Sequence, residues 1–170
     1  QGKATLHADN VAPYELIRPY MTWNWNGPSL ETMSKSEKDA LNASWASLLD
    51  FCSDEDMLAV VDTSGSMHSS YGLPAAVALS LGLYLAEHNK GRFRNHFIEF
   101  SERPQLIRLK GETFVDKLRY ILTFDEIADT NLEAVFQLIL CVAVKNKLPQ
   151  KELPGKLVII SDMEFNVCVT

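Results

Sequence analysis

Oxygen-bearing side chains at three places in the chain have the types and spacing of a cation site. These residues are Asp62, Ser64, Ser66, Thr130 and Asp162. Carboxylates and hydroxyls are ligands of hard divalent cations, and Mg²⁺ takes six oxygens in octahedral geometry while it keeps some of its water. Because three of the five groups are neutral hydroxyls, the ion would accept a further carboxylate from outside. The pattern therefore predicts a cation-bridged binding site for Mg²⁺, with Mn²⁺ or Ca²⁺ as alternatives.

Three further residues lie close to this set in the sequence. His68 follows the first loop, Asp129 directly precedes Thr130, and Glu164 comes two residues after Asp162. We expect them at the rim of the site or in support of its ligands. The plainer alternative is a surface histidine near a helix start and two solvated carboxylates.

The strands that must position these residues follow from the hydrophobic pattern. Residues 57–61 and 157–160 are short apolar runs rich in β-branched side chains, which is typical of strands buried on both faces. Residues 97–100 and 106–109 are joined by a short polar turn with a proline, which predicts a hairpin and hence one antiparallel edge strand.

Helices are predicted between and before these strands. A capping box at Ser34 and Glu37 opens an amphipathic helix within residues 34–56. Apolar stretches at 73–88 and 132–146 and a shorter one at 113–122 predict three more helices. This order of elements indicates an α/β doubly wound, Rossmann-like sheet, mainly parallel, with helices on both faces. Ligands bind such sheets outside the carboxyl ends of the strands, where the two aspartates are expected.

We expect the chain to consist of three consecutive segments. Residues 1–33, with three prolines, are predicted to be an irregular arm. Residues 34–56 form a helix that packs on the domain, and residues 57–170 form the domain itself.

Composition narrows the class of protein. The 170 residues are 46% hydrophobic, so the chain can bury a core and is not disordered throughout. Its 16 basic and 22 acidic residues give a net charge of −6, which argues against nucleic-acid binding by the whole surface. No run reaches roughly 18 consecutive apolar residues, so no transmembrane helix is expected. Three widely spaced cysteines, Cys52, Cys141 and Cys168, are expected to be reduced, as in a cytoplasmic protein.

Two enzyme classes have a first loop with a similar position after a strand. Haloacid-dehalogenase phosphotransferases carry a second aspartate two residues after the first, but Ser64 stands there and cannot serve as a general acid. A serine hydrolase needs glycines on both sides of its nucleophile, and Asp62 occupies one of those positions. We therefore expect binding and not catalysis, with metal-dependent phosphatase activity as the remaining enzymatic alternative.

The spaced residues resemble a known family. Asp-x-Ser-x-Ser after a buried strand, a distant Thr at a helix start and a distant Asp after another strand form the metal-ion-dependent adhesion site of von Willebrand factor A domains. The resemblance covers roughly residues 57–165, and Asp62, Ser64, Ser66, Thr130 and Asp162 fill all five positions. It implies that these residues contact the metal directly or through water and that an acidic residue of a partner protein completes the shell. Where many A domains have glycine, this chain has Asp129.

A full A domain has six strands in the order 3-2-1-4-5-6, of which four can be placed here. We therefore expect the fold to be truncated after the fourth strand, which would leave that strand at an exposed edge. The alternatives are that the N-terminal arm or another chain covers this edge.

A second likeness extends over nearly the whole chain. The segments PYELI at 13–17, AVKNKLP at 143–149 and SDMEF at 161–165 are similar to an uncharacterised family in plants, bacteria and large viruses. In that family a helical region related to the TROVE module of the Ro autoantigen precedes an A domain. This likeness implies that RNA is a candidate partner of the longer protein, through its helical region. The alternative function is thus the A-domain half of a Ro-like ribonucleoprotein component.

Overall fold

A four-stranded mixed sheet forms the centre of the protein. The computed structural model describes residues 11–21, 27–52, 56–101, 103–124 and 131–163. The strands are β1 (Met57–Asp62), β2 (His96–Phe100), β3 (Gln105–Arg108) and β4 (Lys156–Ile160). Their order is β3-β2-β1-β4; β2 and β4 run parallel to β1, and β3 runs antiparallel to β2. The predicted Rossmann-like α/β sheet with one antiparallel edge strand is thereby confirmed.

Five helices surround the sheet in the described part of the chain. They are α1 (Pro13–Ile17), α2 (Lys35–Ala46), α3 (Ser69–His88), α4 (Phe114–Ile121) and α5 (Leu132–Lys145). Single 3-10 turns lie at Arg18–Tyr20, Gly65–His68 and Gln150–Glu152. The last three helices match the three predicted after residue 57.

Each face of the sheet buries a separate apolar cluster. One cluster joins the side chains of β1 and β2 that face α3 to residues of α1, α2 and α4, including Ile17, Trp45 and Leu118. The other lies between the opposite face of the sheet and α5, around Phe100 and Val135. Helices therefore cover both faces, as expected of a doubly wound sheet.

The arm is more regular than the sequence suggested. Residues 13–17 form α1 because Pro13 suits the first turn of a helix and the Ala12 N–H donates to the Glu15 carboxylate across 2.7 Å. Ile17 and Met21 are buried in the cluster beside α3. The prediction of an irregular arm was wrong for this segment, which is part of the domain's core.

Helix α2 begins where predicted and ends earlier. Ser34 caps it by accepting from the Glu37 N–H at 3.3 Å. The helix stops at Ala46, and the Tyr84 hydroxyl then holds the outgoing chain by donating to Leu49 O at 2.6 Å. The predicted helix is therefore shorter than residues 34–56, and the described residues that follow Ala46 form a turn and then irregular chain.

Helix α3 is the central helix of the larger cluster. The stretch Gly65–His88 is long and apolar enough to cross a membrane, but more than half of its most apolar 18-residue window is buried inside the protein. Ser70, Tyr71 and Gly72 adopt left-handed backbone angles, so the regular helix starts near Leu73, as predicted. Among the described residues, this apolar stretch is accounted for as the core helix of the α/β fold.

One side of the protein keeps apolar residues at its surface. Phe136, Leu140 and Val144 recur every four residues along α5 and are exposed. Strand β4 is the last strand of the described sheet on this side and is only half-buried. The described part of the arm packs on α3 instead, so it does not lie along the β4 edge.

Candidate functional site

Buried polar residues concentrate at one edge of the sheet. Of the seven described buried polar or charged residues, five lie at the carboxyl ends of β1 and β2. They are Asp62, Thr63, Ser64, Glu99 and Ser101. Burying such groups costs free energy unless they are hydrogen-bonded. A cluster of them in a small core therefore indicates a candidate functional site.

Asp62 lies at the centre of this cluster at the carboxyl ends of the strands. It is completely buried, and its two carboxylate oxygens accept from different elements. The Ser64 N–H donates to Oδ1 at 2.9 Å, which makes the tight turn after β1. The Ser161 hydroxyl donates to Oδ2 at 2.5 Å from the end of β4. The carboxylate therefore ties together the two neighbouring strand ends.

The two predicted serine ligands lie side by side. Their Oγ atoms are 3.1 Å apart. The turn that brings them together is the 3-10 turn after Ser64, in which the Met67 N–H donates to Ser64 O at 3.1 Å and the Met67 side chain is buried. Adjacent ligands of an octahedral Mg²⁺ with metal–oxygen bonds of about 2.1 Å are about 3.0 Å apart. The spacing of Ser64 and Ser66 thus fits two neighbouring positions of such an ion.

Asp162 lies one residue beyond the contact with Asp62. The parallel register pairs Val61 with Ile160, so Ser161 is the residue that reaches Asp62. Asp162 itself is exposed. Sequence reasoning expected the two carboxylates to converge, and the structure places a serine hydroxyl between the strand ends.

Other predicted site residues are placed only in part. Thr130, Asp129 and Glu164 lie outside the described residues. His68 lies in the 3-10 turn after the first loop and is half-buried. Its predicted position near the loop is therefore observed, while its role stays a prediction.

Four residues that contribute to this end of the sheet were not among the predicted site residues: Ser161, Thr63, Ser101 and Glu99. Glu99 accepts from the Thr63 hydroxyl at 3.0 Å and from the Ser101 hydroxyl at 3.1 Å. A signal for Glu99 was available, because a glutamate inside the apolar run of β2 is unusual for a buried strand. Ser161 gave no comparable signal, since only the register of β4 against β1 selects it.

The donor set fits a hard cation. Within the part of the chain that the structure describes, no three His, Cys, Asp or Glu side chains are grouped to hold a metal. What Asp62, Ser64 and Ser66 offer is one buried carboxylate and two hydroxyls, all oxygen donors, of the kind that Mg²⁺ binds together with water.

The comparisons with known proteins place the chain in a family. It is 31% identical over 168 residues to the uncharacterized protein L728 of Acanthamoeba polyphaga mimivirus, covering 99% of this chain. The chain spans 28% of that relative's length. No solved structure matches the chain at a significant level. The profile of a family described as a domain of unknown function, DUF7788, matches residues 56–170. Since this match takes in the whole sheet and well over half of the sequence, the chain belongs to the DUF7788 family.

Proposed function

We propose that this chain is a divalent-cation-dependent protein-binding module. Asp62, Ser64 and Ser66 would hold Mg²⁺, and the resemblance to A domains adds Thr130 and Asp162. When bound, the ion supplies a positive centre at the sheet edge that accepts a carboxylate from an acidic residue of a partner protein. Mn²⁺ and Ca²⁺ are oxygen-seeking alternatives.

The observation that carries the proposal is the pair of serine hydroxyls 3.1 Å apart beside a fully buried carboxylate. The two oxygens can become neighbouring ligands when their hydrogens rotate, with little movement of the backbone. In a polar turn without a binding role, these side chains would ordinarily be exposed to water. The position at the carboxyl end of a parallel sheet supports the same conclusion, since ligands bind such folds there.

Binding is favoured over catalysis by the residue two positions after Asp62. Ser64 is neutral and its amide is bonded to Asp62, so the loop lacks the second carboxylate that a phosphotransferase of this type uses as an acid. For the longer protein, RNA binding through a helical region stays a prediction. The net charge of −6 disfavours binding of RNA by this chain itself.

We also propose a cytoplasmic location without membrane attachment. Cys52 and Cys141 are both free thiols, as is usual in reducing compartments.

Calorimetric titration with Mg²⁺ and Mn²⁺ tests the proposal. We expect the wild type to bind, Asp62→Asn and Ser66→Ala to lose binding, and Asp39→Asn, at an exposed position on α2, to bind normally. The titration is repeated with acetate in excess, which supplies the carboxylate expected from a partner. Equal affinity in wild type and Asp62→Asn, or no binding by the wild type even with acetate, would contradict the proposal.

The partner's chemistry is tested separately. Peptides with a single central Asp are compared with matched Asn peptides, in Mg²⁺ and in excess chelator. We expect retention of the Asp peptide in Mg²⁺ alone. Metal-dependent hydrolysis of a phosphate ester that disappears in Asp62→Asn would instead favour the phosphatase alternative.

A further inference from the structure

A buried glutamate lies directly behind the loop of the proposed cation site. Glu99 is on β2, paired with Val61 of β1, and only 5% of it is exposed. Its carboxylate accepts from the Thr63 hydroxyl at 3.0 Å and from the Ser101 hydroxyl at 3.1 Å. Burying a carboxylate in a core costs free energy, so such a group is expected to accept hydrogen bonds.

Thr63 connects this carboxylate to the proposed ligands. It lies between Asp62 and Ser64, and it is itself 2% exposed. Successive side chains of an extended chain point to opposite sides. Val61, which pairs with Glu99, faces the α3 cluster, and Asp62 is the next residue along β1. The hydrogen bond from Thr63 to Glu99 therefore restrains the backbone between Asp62 and Ser64. The same carboxylate also fixes Ser101, where the chain leaves β2.

We propose that Glu99 is a positioning residue of the cation site. It fixes Thr63, and through Thr63 it holds the backbone that carries Asp62, Ser64 and Ser66 in a binding geometry before the ion arrives. This inference rests on the proposed function, since it names what preorganises that same site. Groups that orient metal ligands typically contribute about 10- to 100-fold to metal affinity.

A second glutamate provides a matched control for a merely structural role. Glu87, on α3, also accepts from two donors: the Trp45 Nε1–H at 2.7 Å and the Lys117 ammonium at 2.5 Å. It lies at the opposite end of the core, between α2 and α4. Glu87→Gln should therefore lower the free energy of unfolding without changing Mg²⁺ affinity.

The experiment compares Glu99→Gln, Thr63→Val, their double variant and Glu87→Gln in the same chain. Three quantities are measured: Mg²⁺ affinity by calorimetry, stability by urea unfolding, and hydrogen exchange of the Ser64 and Met67 amides. These two amides donate within the loop, to Asp62 Oδ1 and to Ser64 O respectively.

We expect Glu99→Gln and Thr63→Val each to weaken Mg²⁺ binding about 10-fold or more and to speed exchange of both amides. The double variant should bind no more weakly than the weaker-binding single variant, because both substitutions disrupt the same Thr63–Glu99 contact. Thr63→Ser, which keeps the hydroxyl, should restore affinity. Glu87→Gln should lose stability with affinity and loop exchange unchanged.

The proposal is overturned if Glu99→Gln behaves like Glu87→Gln, less stable but with unaltered affinity and loop exchange. Should the wild type bind no Mg²⁺, the proposed function fails, but hydrogen exchange still tests whether Glu99 holds the loop. Faster exchange in both Glu99→Gln and Thr63→Val would then establish Glu99 as the anchor of the loop, and unchanged exchange would refute it.

Discussion

Ser161 donates a hydrogen bond to Oδ2 of Asp62 across 2.5 Å and so joins the carboxyl ends of β4 and β1. The Ser161 oxygen in turn accepts from the Met163 N–H at 2.9 Å, which fixes the direction in which the chain leaves the sheet. One hydroxyl thus couples the buried carboxylate to the loop that carries Asp162.

Replacing this hydroxyl should destabilise the fold. Ser161→Ala leaves a buried carboxylate oxygen without its donor, which we expect to cost about 1–3 kcal/mol in the free energy of unfolding. Urea unfolding without divalent cations measures the loss. Ser69→Ala, at an exposed position, should change stability by no more than about 0.5 kcal/mol. An equal effect of both substitutions would show that the contact with Asp62 contributes nothing specific.

Gly82 should resist substitution although it lies within a helix. A Cβ at this position of α3 would clash with Cγ2 of Val61 on β1. Gly82→Ala gains about 1 kcal/mol of helix propensity, but overpacking costs about 1–3 kcal/mol. We therefore expect a net loss of stability, measured by urea unfolding. Combining Gly82→Ala with Val61→Ala should be less destabilising than the sum of the two, and simple additivity would argue against this close contact.

Trp45 should anchor α2 to the domain. Its ring stacks on Phe114 with centroids 4.2 Å apart, and its N–H donates to Glu87. Trp45→Phe keeps an aromatic ring but loses the donor to a carboxylate, which we expect to cost about 1.5–3 kcal/mol, and Trp45→Ala about 3–5 kcal/mol. Thermal unfolding with calorimetry measures both losses. Phe51→Leu, at a residue 82% exposed, is the control; if all three variants were equally stable, α2 would not be part of the core.

The cap of α4 should give stability that depends on pH. The Thr113 hydroxyl donates to Asp116 at 2.7 Å and lowers the pKa of that carboxyl below its usual value. A lowered folded-state pKa contributes stability above the unfolded value of about 3.9, and this contribution is lost as the pH falls through the folded-state pKa. Thr113→Ala should therefore cost about 1 kcal/mol near pH 7 and less below about pH 4.

Unfolding curves at pH 7 and pH 3 test this prediction, together with NMR titration of Asp116, whose pKa should rise in Thr113→Ala. Thr123→Ala, whose hydroxyl donates only to the nearby Tyr120 carbonyl in the described structure, serves as the control. A stability deficit that does not change with pH would contradict the argument.

Much of the fold could be predicted from local patterns. The apolar runs before Asp62 and Asp162 became adjacent parallel strands, and the two runs around residues 97–109 became a hairpin. The capping box at Ser34 formed as expected. These features depend on side-chain periodicity and on nearest neighbours in the chain, which a sequence displays directly.

The features that could not be predicted depend on distant contacts. Helix α2 ends at Ala46, and the chain that follows is held by the hydroxyl of Tyr84, more than thirty residues away. Residues 13–17 form a helix with local capping, but its place in the core, with Ile17 buried in the cluster beside α3, depends on packing against distant parts of the chain.

For the candidate site, residue types and their spacing were enough to predict the proposed oxygen ligands and the loop that presents Ser64 beside Ser66. The groups that surround Asp62 depend on how the strands pair. Because side chains alternate along a strand, the register of β4 against β1 brings Ser161 to Asp62 and leaves Asp162 exposed one residue further on. The pairing of β2 with β1 likewise brings Glu99 behind Thr63, a contact between residues 36 positions apart. Strand register is a property of the assembled sheet, so these two relationships had no counterpart in the spacing of residues.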